Sequence, residues 1–212
     1  MPWLVKTVDD LLPGDIIICR KKLHWWQILK RFFRWRVKRF SIKTMGKECV
    51  FPDADHVKVV QGLIRDLSTG FHWTAPASTF MFLEEYNVDP SYALVFRRKH
   101  TVPNADALYA FCLKHAGMLY NLGMLLDMEM GFKRFFSFGR RHYVCSVGAR
   151  VADEVASGSL ETSVKQIAIK KIPYEETPPC LWANLPDVYE CVNLPGKLTR
   201  SHTDIMKDVP CE

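Results

Sequence analysis

The chain has 212 residues and a mass of 24.5 kDa, with 48% hydrophobic and 25% charged residues. These values are those of ordinary globular proteins and exclude a disordered, collagen-like or coiled-coil chain. The net charge of +6 is unevenly distributed, because the segment between Asp15 and Glu48 contains eleven Lys or Arg and no acid. The rest of the chain is therefore net negative, and the basicity belongs to one segment.

The cysteines do not follow a metal-binding pattern. Seven are spread along the chain, and no two form a C-x-x-C pair, which argues against a zinc ribbon or a thioredoxin motif. Lys6, Asp9 and Asp10 interrupt the start of the chain, so a signal peptide is not expected, and the longest uncharged apolar-rich run, 70–83, is too short and too polar to cross a bilayer. We expect a cytoplasmic protein with reduced cysteines and no metal or cofactor.

The first half of the chain predicts short strands around one basic helix. Three isoleucines after the turn at Pro13-Gly14 indicate a buried strand. From residue 24 to 40, apolar residues recur at helical spacing while Lys30, Arg34 and Lys38 share another face, a pattern typical of an amphipathic helix. The predicted strands are 16–19, 56–60, its hairpin partner 63–67, and 71–74.

The second half predicts mostly helices. A short helix over 79–86 and a strand over 92–97 precede a helix that Asn104 caps and that ends at Gly117. Residues 120–130 predict a further helix or a loop that covers the core, and another helix opens at Cys145. After Glu161 the chain is rich in proline and poor in strands. The predicted class is α+β, with a single domain over 1–192 and a C-terminal tail over 193–212.

Cys145 is the cysteine whose position best suits a nucleophile. It stands at the start of a predicted helix, and a helix N-terminus favours the thiolate over the thiol. Cys19 falls in an apolar strand and Cys112 on the apolar face of a helix, where a cysteine is usually an inert buried thiol. The alternative interpretation is that Cys145 is a small hydrophobic residue that packs the start of a helix.

Two histidines on neighbouring predicted strands are candidates for an acid–base group. His56 begins a strand beside the acidic turn at 53–55, a rigid position that suits a general base. If the strand that contains His72 lies next to it, His72 would hydrogen-bond to His56 and orient it. The alternative for His56 is a polar residue at a strand edge. We expect the remaining histidines, at 24, 100, 115 and 142, to lie on the surface.

Seven short motifs occur in the order found in a known family. They are Pro-Gly-Asp-Ile-Ile (13–17), a basic aromatic helix, Asp-His-Val-Lys-Val-Val (55–60), Leu-Glu-Glu-Tyr (83–86), Val-Phe-Arg-Arg (95–98), Gly-x-x-Tyr (117–120) and Tyr-Val-Cys-Ser (143–146). Together they resemble the circularly permuted NlpC-like peptidases with a papain-like fold, in particular the YiiX-like branch. The resemblance covers roughly residues 10 to 190.

The resemblance implies a permuted papain-like fold, with a small antiparallel sheet or barrel packed against helices and the nucleophile at a helix N-terminus. It matches Cys145 with the nucleophile and His56 with the base. The family's third polar residue is a glutamate, and an ungapped match places Trp73 there. A shift of one residue places His72 there and gives the Cys-His-His set of the related lecithin:retinol acyltransferase-like proteins. An orienting backbone carbonyl is the other arrangement left open.

The implied activity is hydrolysis of an amide, ester or thioester bond through an acyl-enzyme on Cys145. The implied substrate is a cell-wall peptide or a lipid-like acyl group. The basic aromatic segment 20–40 predicts an anionic membrane surface as a partner, because Lys and Arg with Trp and Phe suit that interface. The alternative is that this segment is a helix packed on the core, with its basic residues on the solvated face.

Two functions of other classes stay open. The first is a papain-like fold that has lost its activity and serves as a binding module, which the missing acid at Trp73 favours. The second is nucleic-acid binding through residues 20–47, which the sequence favours least because nothing beyond charge indicates base recognition.

Overall fold

The computed structural model describes residues 4–20, 28–64, 67–121, 123, 143–158, 172–194 and 198. This described part is a mixed α+β structure, as predicted, with one six-stranded open sheet and three helices. The strands are β1 (Ile16–Cys19), β2 (His56–Ile64), β3 (Leu67–His72), β4 (Thr79–Phe82), β5 (Ala93–Arg98) and β6 (Tyr189–Cys191). The helices are α1 (Ile28–Met45), α2 (Ala105–His115) and α3 (Cys145–Ser157).

The sheet is antiparallel throughout, in the order β4-β3-β2-β1-β5-β6. β1 lies in the middle, and all four of its residues are buried. This central position explains why β1 is continuously apolar, whereas a strand with one solvated face would alternate. The chain enters β1 through Gly14, which has a φ of +89° and lies so close to Pro103 that a Cβ would overlap the proline ring.

Each face of the sheet carries its own buried cluster. Ile16, Val57 and Phe71 belong to the larger cluster, which also contains residues of α2 and α3. Ile17 and Val60 belong to a second cluster on the other face. α2 and α3 pack against each other and against β2. This packing brings the N-terminus of α3 to the sheet.

The segment 172–194, which we call the C-terminal strap, fastens α3 to the sheet. Ser146 Oγ donates a hydrogen bond to the carbonyl of Thr177 at 2.7 Å, and Arg150 Nη1 donates to the carbonyl of Ile172 at 2.9 Å. β6, within the strap, then pairs with β5 at the edge of the sheet. The sequence did not predict this strand, which has only three residues.

The strap ends in a buried polar contact. The Asn193 side chain accepts a hydrogen bond from Val95 N and donates to the carbonyls of Val88 and Ala93, each at 2.8–2.9 Å. Beside it, Val5 N donates to the carbonyl of Val192 at 2.7 Å. Leu198 also packs against the larger cluster. Two residues of the predicted tail, Asn193 and Leu198, thus contact the domain.

Two local predictions were wrong. Residues 79–86 do not form a helix: 79–82 are β4, and a single 3-10 turn follows at 85–87. The phenylalanines at 80 and 82 alternate as in a strand, and β3 supplies backbone partners for them. The predicted strands at 63–67 and 71–74 are also misplaced, because β2 continues to Ile64 and its partner β3 begins at Leu67.

The other predicted elements agree with the structure within a few residues. Strands 16–19 and 92–97, the helix after Asn104 and the helix that opens at Cys145 are all present. The basic helix is present over 28–45 and so extends beyond the predicted end at residue 40, whereas the predicted start at 24 lies outside the described residues. Most of the predicted element at 120–130 also lies outside them.

Candidate functional site

Cys145 is the first residue of α3, and its side chain is 5% exposed. The thiol points to the start of β2, where Sγ lies 3.9 Å from the carbonyl oxygen of Asp55. Val144 is the N-cap residue of α3, and its side chain makes no capping hydrogen bond. The thiol therefore lies at the positive end of a helix.

The two histidines singled out in the sequence are in contact. β2 and β3 are neighbours, and His72 pairs with Lys58 across the ladder. His56 Nε2 and His72 Nδ1 are 3.2 Å apart, with the two rings nearly perpendicular, and both residues are buried. One ring nitrogen donates and the other accepts, so the contact with His72 holds the orientation of the His56 ring.

The Cys145 thiol and the two histidines belong to different faces of the sheet near the start of β2. His56, Lys58 and His72 share one face of the sheet, whereas Val57 lies on the other face, in the cluster that includes Cys145. Asp55, whose carbonyl contacts the thiol, is the residue directly before His56. Asp55 therefore connects the thiol with the strand that carries His56.

Trp73 does not join this group. Its ring is 2% exposed and packs edge-on against Phe71, with centroids 4.9 Å apart. Gly148 of α3 lies directly over the indole, where a Cβ would overlap its ring carbons. Trp73 thus supports α3 from below, and His72, one residue earlier on the opposite face, is the residue that contacts His56.

Three of the other described cysteines lie in surroundings that suppress reactivity. Burial raises the pKa of Cys112 to about 12 and that of Cys191 to about 11. Burial likewise raises the pKa of Cys180, whose sulfur is 3.5 Å from that of Cys49. These groups stay protonated at neutral pH, and a protonated thiol is a poor nucleophile.

Two residues near the site were missed from the sequence. Lys58 is a buried cation on the same face as the two histidines, with its ammonium 5.5 Å from the ring centroid of Tyr86. The available signal was its position two residues after His56, because such residues share one face of a strand.

His115 was expected on the surface but is 8% exposed. Its Nδ1 lies 2.7 Å from the carbonyl of Phe111, four residues earlier on α2.

Comparisons with known proteins identify no family. No protein-family model matches the chain, and no curated protein matches it. Within the described part of the chain, no helix has the length and apolar character needed to cross a membrane. The described residues also hold no group of three or more His, Cys, Asp or Glu arranged to bind a metal.

Proposed function

We propose that the protein is a thiol hydrolase that cleaves an amide, ester or thioester bond through an acyl-enzyme on Cys145. One observation carries the proposal. The Cys145 sulfur lies 3.9 Å from the backbone carbonyl that precedes His56, and His56 is in turn held 3.2 Å from His72. A thiol, a base and an orienting group on three separate elements are the parts that nucleophilic acyl transfer requires.

The proposed roles follow from the ring nitrogens. Nε2 of His56 is engaged with His72, so Nδ1 is the nitrogen that takes the thiol proton. The thiolate then attacks the substrate carbonyl carbon and forms a tetrahedral oxyanion. The N-terminus of α3 supplies backbone N–H donors for that oxyanion, the first being the N–H of Cys145. His56 returns the proton to the leaving group as the carbon–heteroatom bond breaks.

Deacylation reverses the roles. Water gives a proton to His56 Nδ1 and attacks the thioester carbon, after which the C–S bond breaks and the thiolate recovers the proton. His72 touches neither the substrate nor the sulfur in this scheme, so it is a positioning residue. The permuted papain-like fold and the peptide or acyl character of the substrate belong to the same proposal and rest on the motif resemblance.

Trapping the acyl-enzyme tests the proposal. The chain is mixed with p-nitrophenyl butyrate, quenched in acid, and examined by intact mass and peptide mapping. We expect one butyryl group on Cys145 and loss of p-nitrophenol release in Cys145→Ala. That variant should keep its stability within about 1 kcal/mol, because the side chain is small and lies at the edge of the core. Cys112→Ala is the matched control and should still be acylated.

Alkylation separates this function from a binding module. Iodoacetamide should modify Cys145 at least about tenfold faster than Cys191, since only a thiolate reacts at an appreciable rate. His56→Ala should remove that advantage. Equal rates at the two cysteines, or full ester hydrolysis by Cys145→Ala, would contradict the enzyme and favour a fold that binds without catalysis.

A further inference from the structure

One side of α1 exposes an unusual group of side chains. We call it the basic aromatic face, and its exposed members are Arg31, Phe32, Trp35, Lys38, Arg39 and Lys43. Phe32 is 50% exposed and Trp35 is 48% exposed, with ring centroids 6.0 Å apart. The Arg39 guanidinium lies 4.9 Å from the Trp35 ring centroid. Two large aromatic rings thus stand on the surface among four cations.

The core of the protein does not explain this face. α1 is attached to the core near its C-terminal end, where Ser41 is fully buried and Ile42 and Met45 pack against the larger cluster. The helix and its flanks contain no acid between Asp15 and Glu48, so the cations are not neutralised within their own segment. An exposed apolar pair in a field of one sign indicates a partner that is both negative and partly apolar.

The position of α1 links this face to the candidate site. Arg34 Nε and Nη2 lie 3.0 and 2.9 Å from Asp55 Oδ2. The backbone carbonyl of the same Asp55 contacts the Cys145 thiol. One residue therefore joins α1 to the place where the proposed nucleophile lies, and a surface bound by α1 would be held beside that thiol.

The chemistry of the face favours lipid over nucleic acid. Proteins that bind single strands stack bases on open aromatic rings along a basic groove. Here Arg39 already lies over the Trp35 ring, and both exposed rings belong to a single helix. Tryptophan, phenylalanine and long cationic side chains together suit the boundary between acyl chains and headgroups.

We infer that the basic aromatic face of α1 docks the protein on an anionic lipid surface. Phe32 and Trp35 enter the boundary between headgroups and acyl chains, while the surrounding cations bind anionic headgroups. The inference goes beyond acyl transfer and does not require it. A chain that carries Cys145→Ala should therefore bind lipid as the unchanged chain does.

Vesicle sedimentation tests the inference. The full chain is mixed with vesicles of phosphatidylcholine alone, or of phosphatidylcholine with about one third phosphatidylglycerol. We expect at least about tenfold tighter binding to the anionic vesicles, weakened by salt. The double change Phe32→Ser with Trp35→Ser should abolish most of it. The matched control, Tyr109→Ser with Leu113→Ser, removes an equally exposed pair from α2 and should bind normally.

A second set of variants keeps the test decisive if the aromatic changes disturb the helix. Changing Arg31, Lys38 and Lys43 to Gln should weaken binding about fivefold for each cation removed, without altering thermal unfolding. Three results would overturn the inference: unchanged binding by both sets of variants, equal binding to neutral and anionic vesicles, or binding of a single-stranded oligonucleotide in place of vesicles.

Discussion

The side chain of His72 holds the His56 ring in one orientation. The contact between His56 Nε2 and His72 Nδ1 leaves a defined ring nitrogen for the thiol, and it joins two strands whose hairpin fixes their register. A histidine that rotates freely at the end of a strand would present either nitrogen. In the proposed mechanism, His72 holds the orientation of His56, and its loss should affect the chemical step rather than substrate binding.

We predict that His72→Ala lowers kcat about 10- to 100-fold for p-nitrophenyl butyrate while KM changes little. His72→Asn should restore much of the loss, because an amide can still hydrogen-bond to His56 Nε2. Steady-state kinetics on the three chains checks this. A purely structural role would instead lower stability in both variants and would not separate kcat from KM.

The histidine pair could be proposed from the sequence, but its geometry could not. His56 at the start of one strand and His72 near the end of the next made contact plausible once those strands were neighbours. Ungapped sequence matching gave Trp73, and only a shift of one residue gave His72, whose side chain lies on the opposite face of the strand. The observed pairing of His72 with Lys58 places His72 on the same face as His56.

At the scale of elements, α3 lies close to the sheet because of one missing side chain. Gly148 sits over the Trp73 indole, with no room for a Cβ. This explains why residue 148 is a glycine. The glycine lowers helix propensity in exchange for a short distance between helix and ring.

We predict that Gly148→Ala destabilises the protein by about 1–3 kcal/mol, the usual effect of overpacking a core. The sign is informative, because the same change in an exposed helix stabilises by up to about 1 kcal/mol. Urea unfolding measures it. Val155→Ala, at a half-exposed position of the same helix, is the control and should shift stability by about 0.5 kcal/mol or less. A more stable Gly148→Ala chain would contradict the packing described.

Elements with a strong local signal were predicted, and elements that depend on distant partners were not. The Asn104 side chain accepts a hydrogen bond from Ala107 N, so the start of α2 is encoded locally. β4 and β6 are short strands at the two edges of the sheet, and each forms because a neighbour offers backbone groups. A segment of three or four residues is too short to contain a hydrophobic pattern that would predict such a strand.

At the scale of the whole molecule, stability should respond to a buried carboxyl group. Asp153 of α3 accepts a hydrogen bond from the Tyr189 hydroxyl and lies 3.9 Å from Arg98, with Glu154 adjacent. Burial raises the pKa of Asp153 from 3.8 to about 6, although the hydroxyl and the guanidinium act in the opposite direction. The folded chain therefore holds this proton over a pH range in which the unfolded chain has lost it.

The sign of the effect follows from that difference. The stabilisation is complete below about pH 4 and is lost as the pH rises through about 6, and a shift of about two pKa units corresponds to about 3 kcal/mol. Asp153→Asn cannot ionise, so its free energy of unfolding relative to the unchanged chain should improve by up to that amount between pH 4 and pH 7. Urea unfolding at both values tests this. An opposite trend would mean that the ion pair with Arg98 outweighs burial.

The backbone hydrogen bond from Val5 N to the carbonyl of Val192 has a consequence for biosynthesis. A ribosome releases residue 145 well before residue 192, so the thiol emerges while β5 still lacks its outer neighbour and α3 lacks its fastening. Early and late parts of the polypeptide must meet before the domain closes, and such distant contacts form slowly. The proposed nucleophile would accordingly reach its final surroundings only after residue 192 has left the ribosome.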